Sequence, residues 1–172
     1  MEKKVIVLGS TGSVGEQALD VADKFGMDVR AISANKSFKR VEEQARKFRV
    51  SSVAMADESA AKELKVRLAD TSVKIYSGDD GICQMIAAEK SDVVLNSIIG
   101  EAGLMPTLAT VESGTRLALA NKESLVVAGE IVMKAAREKN VEILPVDSEH
   151  SAIFQSLQGA PEKALKKIIL KL

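Results

Sequence analysis

Tryptophan is absent from this chain, and one tyrosine and four phenylalanines are its only aromatic residues. That leaves little surface for stacking unpaired bases. Neither sign of charge is in excess, because Lys+Arg and Asp+Glu are each 24. No net field therefore draws the chain to nucleic acid or to an anionic membrane. Cys83 is the sole cysteine, which excludes an internal disulfide and makes a reducing, cytoplasmic setting the expectation. No stretch approaches the ~18 apolar residues needed to cross a bilayer. The N-terminal apolar run is too short for a signal-peptide core and ends in glycines. No internal repeat or low-complexity segment is present. At 172 residues the chain is long enough for one well-cored domain, or for one domain and part of another.

What is there begins with glycine. Val5-Ile6-Val7-Leu8 runs straight into Gly9-Ser10-Thr11-Gly12-Ser13-Val14-Gly15. A buried strand that breaks into a glycine turn and then opens a helix is a dinucleotide-binding pattern with a mechanism. The first glycine permits the tight turn, a later one lets backbone N–H groups approach a pyrophosphate, and the last lets helix and strand pack closely. The helix then offers free N–H groups and its positive dipole end to the anion. The spacing is G-x-x-G-x-x-G, so the second glycine falls one residue later than in the commoner form.

Short apolar runs alternate with helical patterns along the rest of the chain. Strands are predicted at Val5–Leu8, Val29–Ser33, Ser52–Ala56, Val73–Tyr76, Asp92–Ile98, Arg116–Ala120 and Val141–Val146. Helices are predicted over Phe38–Phe48 with Ser37 as cap, from Asp57-Glu58 onward with Ala61, Leu64 and Leu68 on one face, and over Asp79–Glu89, Leu104–Val111 and Glu123–Lys139. The alternation predicts an α/β fold: a Rossmann-like, doubly wound, mostly parallel sheet with helices on both faces. Lys166–Leu170 reads as one more strand that stops without a turn or partner. The expected division is a dinucleotide-binding domain over 1–149 and the truncated start of a second domain over 150–172.

Ligands of open α/β sheets sit outside the carboxyl ends of the strands. The second strand ends in Ile32-Ser33-Ala34-Asn35-Lys36-Ser37, without the carboxylate that would hold the ribose 2′-hydroxyl of NAD. A cation with small donors there suits a 2′-phosphate and favours NADP. Lys39 and Arg40 add charge nearby, although an exposed helix face explains them equally well. Three more polar groups fall on that edge: Asn96 to Gly100, Asn121-Lys122-Glu123-Ser124 and Asp147-Ser148-Glu149-His150. In an extended backbone Asp147 and Glu149 would point together, with Ser148 and His150 facing away. Two convergent carboxylates suit Mg²⁺ or Mn²⁺; on spacing alone, solvated or helix-capping acids are the simpler reading. For His150, orienting a neighbour or capping a helix is favoured over acting as base or ligand. Cys83 lies mid-helix and reads as a small packing residue.

Taken together, the glycine turn, Leu119-Ala120-Asn121-Lys122-Glu123-Ser124-Leu125-Val126 and Pro145-Val146-Asp147-Ser148-Glu149-His150-Ser151-Ala152-Ile153-Phe154-Gln155 closely resemble the 1-deoxy-D-xylulose 5-phosphate reductoisomerase family, over the N-terminal part of its sequence. The resemblance implies a rearrangement and NADPH-dependent reduction of 1-deoxy-D-xylulose 5-phosphate to 2-C-methyl-D-erythritol 4-phosphate in the non-mevalonate route to isoprenoids. It assigns Thr11, Gly12, Ser13 and Val14 to the NADPH diphosphate and Asn35, Lys36 and Ser37 to the 2′-phosphate. Asn121 and Glu123 fall to the nicotinamide half, and Lys122, Ser148 and Glu149 to the substrate. Lys122 and Glu149 are the expected catalytic residues, and Asp147 and Glu149 supply two of three carboxylates on Mg²⁺ or Mn²⁺. The third ligand, the substrate-phosphate residues and the active-site loop are expected beyond Leu172, so this chain is expected to bind NADPH without turnover. The family resemblance also implies a homodimeric parent.

Other readings remain. A semialdehyde dehydrogenase uses a similar glycine turn but needs a reactive cysteine, for which Cys83 is poorly placed. A short-chain dehydrogenase needs a Tyr with a Lys four residues on, and Tyr76 is followed by Asp80. A non-catalytic NADP-binding module is the alternative outside enzymes.

Overall fold

The computed structural model describes residues 2–161 and 165–169. Strands β1 (Lys4–Leu8), β2 (Asp28–Ala34), β3 (Ser52–Met55), β4 (Lys74–Ser77), β5 (Val93–Asn96), β6 (Arg116–Leu119) and β7 (Ile143–Pro145) form one sheet of order β4-β3-β2-β1-β5-β6-β7. Every neighbouring pair is parallel, so the sheet is wholly rather than mostly parallel among the described residues. The helices are α1 (Ser13–Lys24), α2 (Phe38–Phe48), α3 (Glu58–Arg67), α4 (Gly78–Ala88), α5 (Leu104–Glu112), α6 (Glu123–Lys139) and α7 (Ser148–Ser156), with a 3₁₀ turn at Glu101–Gly103.

Side chains alternate across a strand, and β1 shows what that does here. Val5 and Val7 pack in one core with Leu19 of α1, Val41 of α2 and Leu64 of α3. Ile6 and Leu8 pack in the other with Ile82, Met85 and Ile86 of α4. Both faces are covered, which is why the strand reads as an unbroken apolar run instead of an alternating one. On the same side as α4, Ala109 of α5 joins the second core. Val111 of α5 and Ala136 of α6 pack with Leu117 and Leu119 of β6. The chain winds outward from β1 to β4, returns to the other side of β1 as β5, and winds outward again to β7. The two windings part between β1 and β5, which is the topological switch point.

Several expectations change. Ser37 takes the N-cap position of α2, but its side chain makes no capping bond. The backbone supplies the closure, with Phe38 donating to the Lys36 carbonyl and Val41 to that of Ser37. Asp57, by contrast, caps α3 by accepting from the Ala60 amide at 2.8 Å. Helix α6 is broken at Ala128 (φ −139°, ψ 29°), next to Gly129, whose low helix propensity makes it a natural place to kink. Residues 165–169 form no strand, since a strand exists only by pairing; Leu170 lies outside the described residues. The extended backbone predicted for 147–150 is also absent: helix α7 begins at Ser148 and crosses the boundary drawn between residues 149 and 150. No helix among the described residues is long and apolar enough to cross a membrane.

Candidate functional site

Because every strand runs the same way, the segments after β1, β2, β5, β6 and β7 all emerge at one rim. Gly12 follows β1 and Asp147 follows β7, three strand spacings away in the sheet order, or roughly 14 Å at ~4.8 Å per strand. A cleft of about 300 Å³ opens at the β1/β5 switch point, with Gly9, Thr11, Gly12, Asn35, Ile98 and Ile99 among its lining. A larger hollow, about 810 Å³, lies at the opposite rim. Its charges answer one another there, Arg116 pairing with Glu142 at 2.8 Å and Asp92 accepting from the Lys4 amide at 2.7 Å.

Each glycine of the turn has its own cause. Gly9 has φ +76°, and a Cβ there would stand 2.9 Å from the Ser97 carbonyl oxygen. Gly15 sits where helix α1 crosses the turn, and a Cβ would meet the Gly9 carbonyl oxygen and come within 2.7 Å of Ser10 Cα. Gly12 differs: its φ is −85°, and a Cβ would find only the Gly9 oxygen, at an ordinary 3.4 Å. Nothing among the described residues demands a glycine there. The demand falls on the cleft side, where a dinucleotide would need the space. Helix α1 has no side-chain cap, and among the described residues nothing accepts from the amides of Ser13, Val14 and Gly15. These are the unsatisfied donors of a helix N-terminus aimed at an anion.

The turn is braced by buried groups that the sequence reading left out. Ser10 Oγ donates to Gln44 Oε1 at 2.7 Å, and Gln44 Nε2 donates to the Ser10 carbonyl at 3.0 Å. The Ser10 amide donates to the Ser33 carbonyl, and Ser97 Oγ donates to that of Leu8. Gln44 had a visible signal, being a polar residue on the same helical face as Val41, Ala45 and Phe48. Gln44→Ala strands a buried hydroxyl and carbonyl, a loss of roughly 1–3 kcal/mol. Denaturant titration should show it, with an unchanged midpoint counting against the brace.

Asn35, Lys36 and Ser37 follow β2 and are exposed beside the cleft. Lys36 Nζ lies 4.0 Å from Asp57 Oδ2 and stays mostly open to solvent, so its charge remains free to meet an anion. Arg40 is committed elsewhere, to Glu16 at 3.2 Å and Glu43 at 3.3 Å. It decorates the helix face. Cys83 is half-buried on α4; burial, with Asp80 and Asp79 nearby, pushes its thiol pKa up, the opposite of what a nucleophile needs.

After β6, Asn121 is buried and bonded to the chain itself, whereas Lys122 is exposed and Glu123 half-buried at the start of α6. Lys122 Nζ reaches Glu149 Oε2 at 3.9 Å, which joins two expected catalytic groups across β6 and β7. Asp147 is the N-cap of α7. Its Oδ1 accepts from the His150 amide at 3.0 Å and lies 2.8 Å from His150 Nδ1. The extended arrangement that faced His150 away is therefore overturned: a capping carboxylate draws residue N3 back toward itself. His150 orients Asp147. Burial pushes the Asp147 carboxyl up, but the hydrogen bonds from the His150 amide and ring outweigh it and hold the pKa below the usual carboxylate range. Asp147 is thus anionic at neutral pH with Oδ2 available, and Glu149 stands in the first turn of the same helix. Hard oxygens of this kind suit Mg²⁺ or Mn²⁺. Among the described residues no group of three potential metal ligands assembles, so the chain offers part of a donor set. Beside it lies an apolar cavity of about 610 Å³, lined in part by Leu119, Lys122, Val126, Pro145, His150 and Phe154. Ser148 is exposed at the first position of α7.

A doubly wound parallel sheet, with a glycine turn and free helix amides at its switch point, is a Rossmann-type nucleotide-binding fold. Residues 5–129 match the family model described as 1-deoxy-D-xylulose 5-phosphate reductoisomerase. The chain belongs to that family. It is 47% identical over 169 residues to the reductoisomerase of Agathobacter rectalis, an alignment covering 98% of this chain and 44% of that protein. The solved reductoisomerase of Zymomonas mobilis in complex with NADPH superposes with a TM-score of 0.86 at 40% identity, over 90% of this chain and 41% of that one. A reductoisomerase solved with NADPH, fosmidomycin and magnesium superposes equally well, with a TM-score of 0.86 at 32% identity over 92% and 40% of the two chains. The chain thus spans less than half the length of these relatives.

Proposed function

We propose that this chain is the NADPH-binding portion of an enzyme that rearranges and reduces 1-deoxy-D-xylulose 5-phosphate to 2-C-methyl-D-erythritol 4-phosphate, and that by itself it binds NADPH without turnover. The observation that carries the reading is the cradle at the β1/β5 switch point in a chain of this family, where, among the described residues, three helix amides lack partners beside a glycine that no contact requires. Bound NADPH supplies the hydride, and a divalent cation supplies Lewis-acid charge. Thr11, Gly12, Ser13 and Val14 would surround the diphosphate, which the free amides at the start of α1 would bind, and Asn35, Lys36 and Ser37 would take the 2′-phosphate. Glu123 would contact the nicotinamide half. Asp147 and Glu149 would hold Mg²⁺ or Mn²⁺, while Lys122 and Ser148 face the phosphorylated sugar. Lys122, paired with Glu149, offsets negative charge that gathers on the substrate's oxygens. The proposal includes a cytoplasmic setting and a homodimeric parent protein.

Calorimetry of the chain with NADPH and NADH tests this. NADPH should bind and NADH should bind less well; equal affinity would undo the assignment of residues 35–37. In Lys36→Ala the preference should shrink by about tenfold, the worth of one charge-assisted bond to the 2′-phosphate. Turnover of the sugar phosphate by the unextended chain would contradict binding without catalysis.

A further inference from the structure

The loop after β5 forms the wall of the cleft facing the glycine turn. Ile98 and Ile99 both line the cavity, and Ile99 is 87% exposed, which leaves its side chain open to a ligand in the cleft. Gly100 (φ +74°) ends this strap. Two buried carboxamides hold it. Asn96 Oδ1 accepts from the Ile98 amide at 3.1 Å, while its Nδ2 donates to the Gly103 carbonyl at 2.8 Å and to Thr107 Oγ1 at 2.9 Å. From the next strand end, Asn121 Nδ2 donates to the carbonyls of Ile98 at 2.6 Å and Gly100 at 2.8 Å. Asn121 Oδ1 accepts from the Ser124 amide at 2.9 Å and from Ser124 Oγ.

That exhausts the Asn121 amide: two N–H donors and two acceptor positions are all used inside the chain. At 2% exposure the side chain has neither a free atom nor an open path to a ligand. Its neighbour is fitted to it as well, since a Cβ on Gly103 would come within 2.6 Å of Asn121 Nδ2 and 2.7 Å of Asn121 Cγ.

We propose that Asn121 is a positioning residue: its side chain does not touch the dinucleotide but locks the Ile98–Gly100 strap against which the dinucleotide packs. The inference rests on the NADPH reading above and assigns Asn121 a different part in it from a contact with the nicotinamide half. A residue acting through the strap affects the whole bound molecule. One touching nicotinamide affects only ligands that contain it.

The test uses the 172-residue chain with Asn121→Ala and, separately, Gly103→Ala, which keeps the Asn121 side chain but forces it aside. Calorimetry with NADPH and with 2′-phospho-ADP-ribose, which lacks nicotinamide, is combined with hydrogen exchange of the unliganded variants. Both variants should weaken both ligands by the same factor, about tenfold for the loss of the strap's anchoring bonds. The amides of Ile98 and Gly103, which are bonded to Asn96 Oδ1 and to the Gly100 carbonyl, should exchange faster while those of β1 and β5 keep their protection. A loss confined to NADPH makes Asn121 a direct contact and overturns the proposal. So does unchanged strap exchange in both variants, or unchanged affinity. If Asn121→Ala fails to fold, Gly103→Ala decides alone. A parent chain that binds neither ligand would instead remove the NADPH reading and this inference with it, an outcome distinct from a parent that binds and variants that do not respond.

Discussion

Gly15→Ala should melt about 10 °C below the parent chain, whereas Gly12→Ala should melt close to it and still lose NADPH. The two residues are three apart in one turn, yet they meet different constraints. A methyl group at Gly15 runs into the Gly9 carbonyl and the Ser10 backbone, groups held by β1 and by the Gln44 clamp. Backbone cannot step aside as a side chain does, so the overpacking cost reaches roughly 3 kcal/mol. At about 2–4 °C per kcal/mol for a chain of this size, that gives the shift in melting point. At Gly12 the backbone lies in the ordinary extended region, and the new methyl group clears its one neighbour. The folding cost stays under about 1 kcal/mol, the difference between glycine and alanine at an N-cap. Gly12 lines the cleft, so an added methyl group takes space there, and affinity should fall by at least about tenfold as the diphosphate is pushed off the α1 amides. Differential scanning calorimetry and NADPH titration on the same two variants separate the effects. Undiminished binding by Gly12→Ala would mean that the diphosphate does not lie on this turn.

The glycine turn was legible because its constraints are local: one strand, one turn and one helix within eleven residues of Val5. The seven strands were legible for a related reason, since burial on both faces turns Val5–Leu8 or Val93–Leu95 into short unbroken apolar runs. With all strands parallel, the common rim followed without any side-chain geometry. The rest depends on partners remote in sequence. Asn96 and Asn121 look like ordinary polar residues at strand ends; only the fold brings Asn121 onto carbonyls 21 and 23 residues away. Ser10 finds Gln44 across 34 residues. The stretch from Asp147 to His150 stayed open between two readings for another reason. Its acids suit an extended ligand pair and a helix start equally, and the outcome rests on whether Asp147 finds an amide to cap. It does, and alternate-residue facing ceases to apply. The kink at Ala128 depends on a weak local preference within an otherwise continuous helical pattern.

The capping role of Asp147 gives the sharpest test of the metal-binding role proposed for it. Asparagine caps a helix as well as aspartate does, whereas alanine forfeits the cap at a cost of about 1 kcal/mol. Asp147→Asn should therefore preserve α7, its amide bond from His150 and the melting behaviour, while removing one anionic oxygen ligand. Asp147→Ala should lose both. The acid dependence follows from the same geometry. The folded-state pKa of Asp147 is lowered, so its contribution to stability is fully present above the unfolded value of about 3.9 and is lost as pH falls through the folded value. Asp147→Asn should flatten that acid limb and leave stability at neutral pH little changed. When the chain is joined to the remainder that its relatives carry, Asp147→Asn and Glu149→Gln should each lower turnover by on the order of 10²- to 10³-fold, the cost of removing one group from the charge that stabilises the reacting oxygens. NADPH affinity should stay near that of the parent, because the cradle lies three strands away. Raising Mn²⁺ should recover part of the activity, as expected when a ligand is weakened and the fold is intact. Steady-state rates against Mn²⁺ concentration, with NADPH calorimetry on the same preparations, read both quantities. Full activity in Asp147→Asn at limiting metal would leave Asp147 as a helix cap and nothing more.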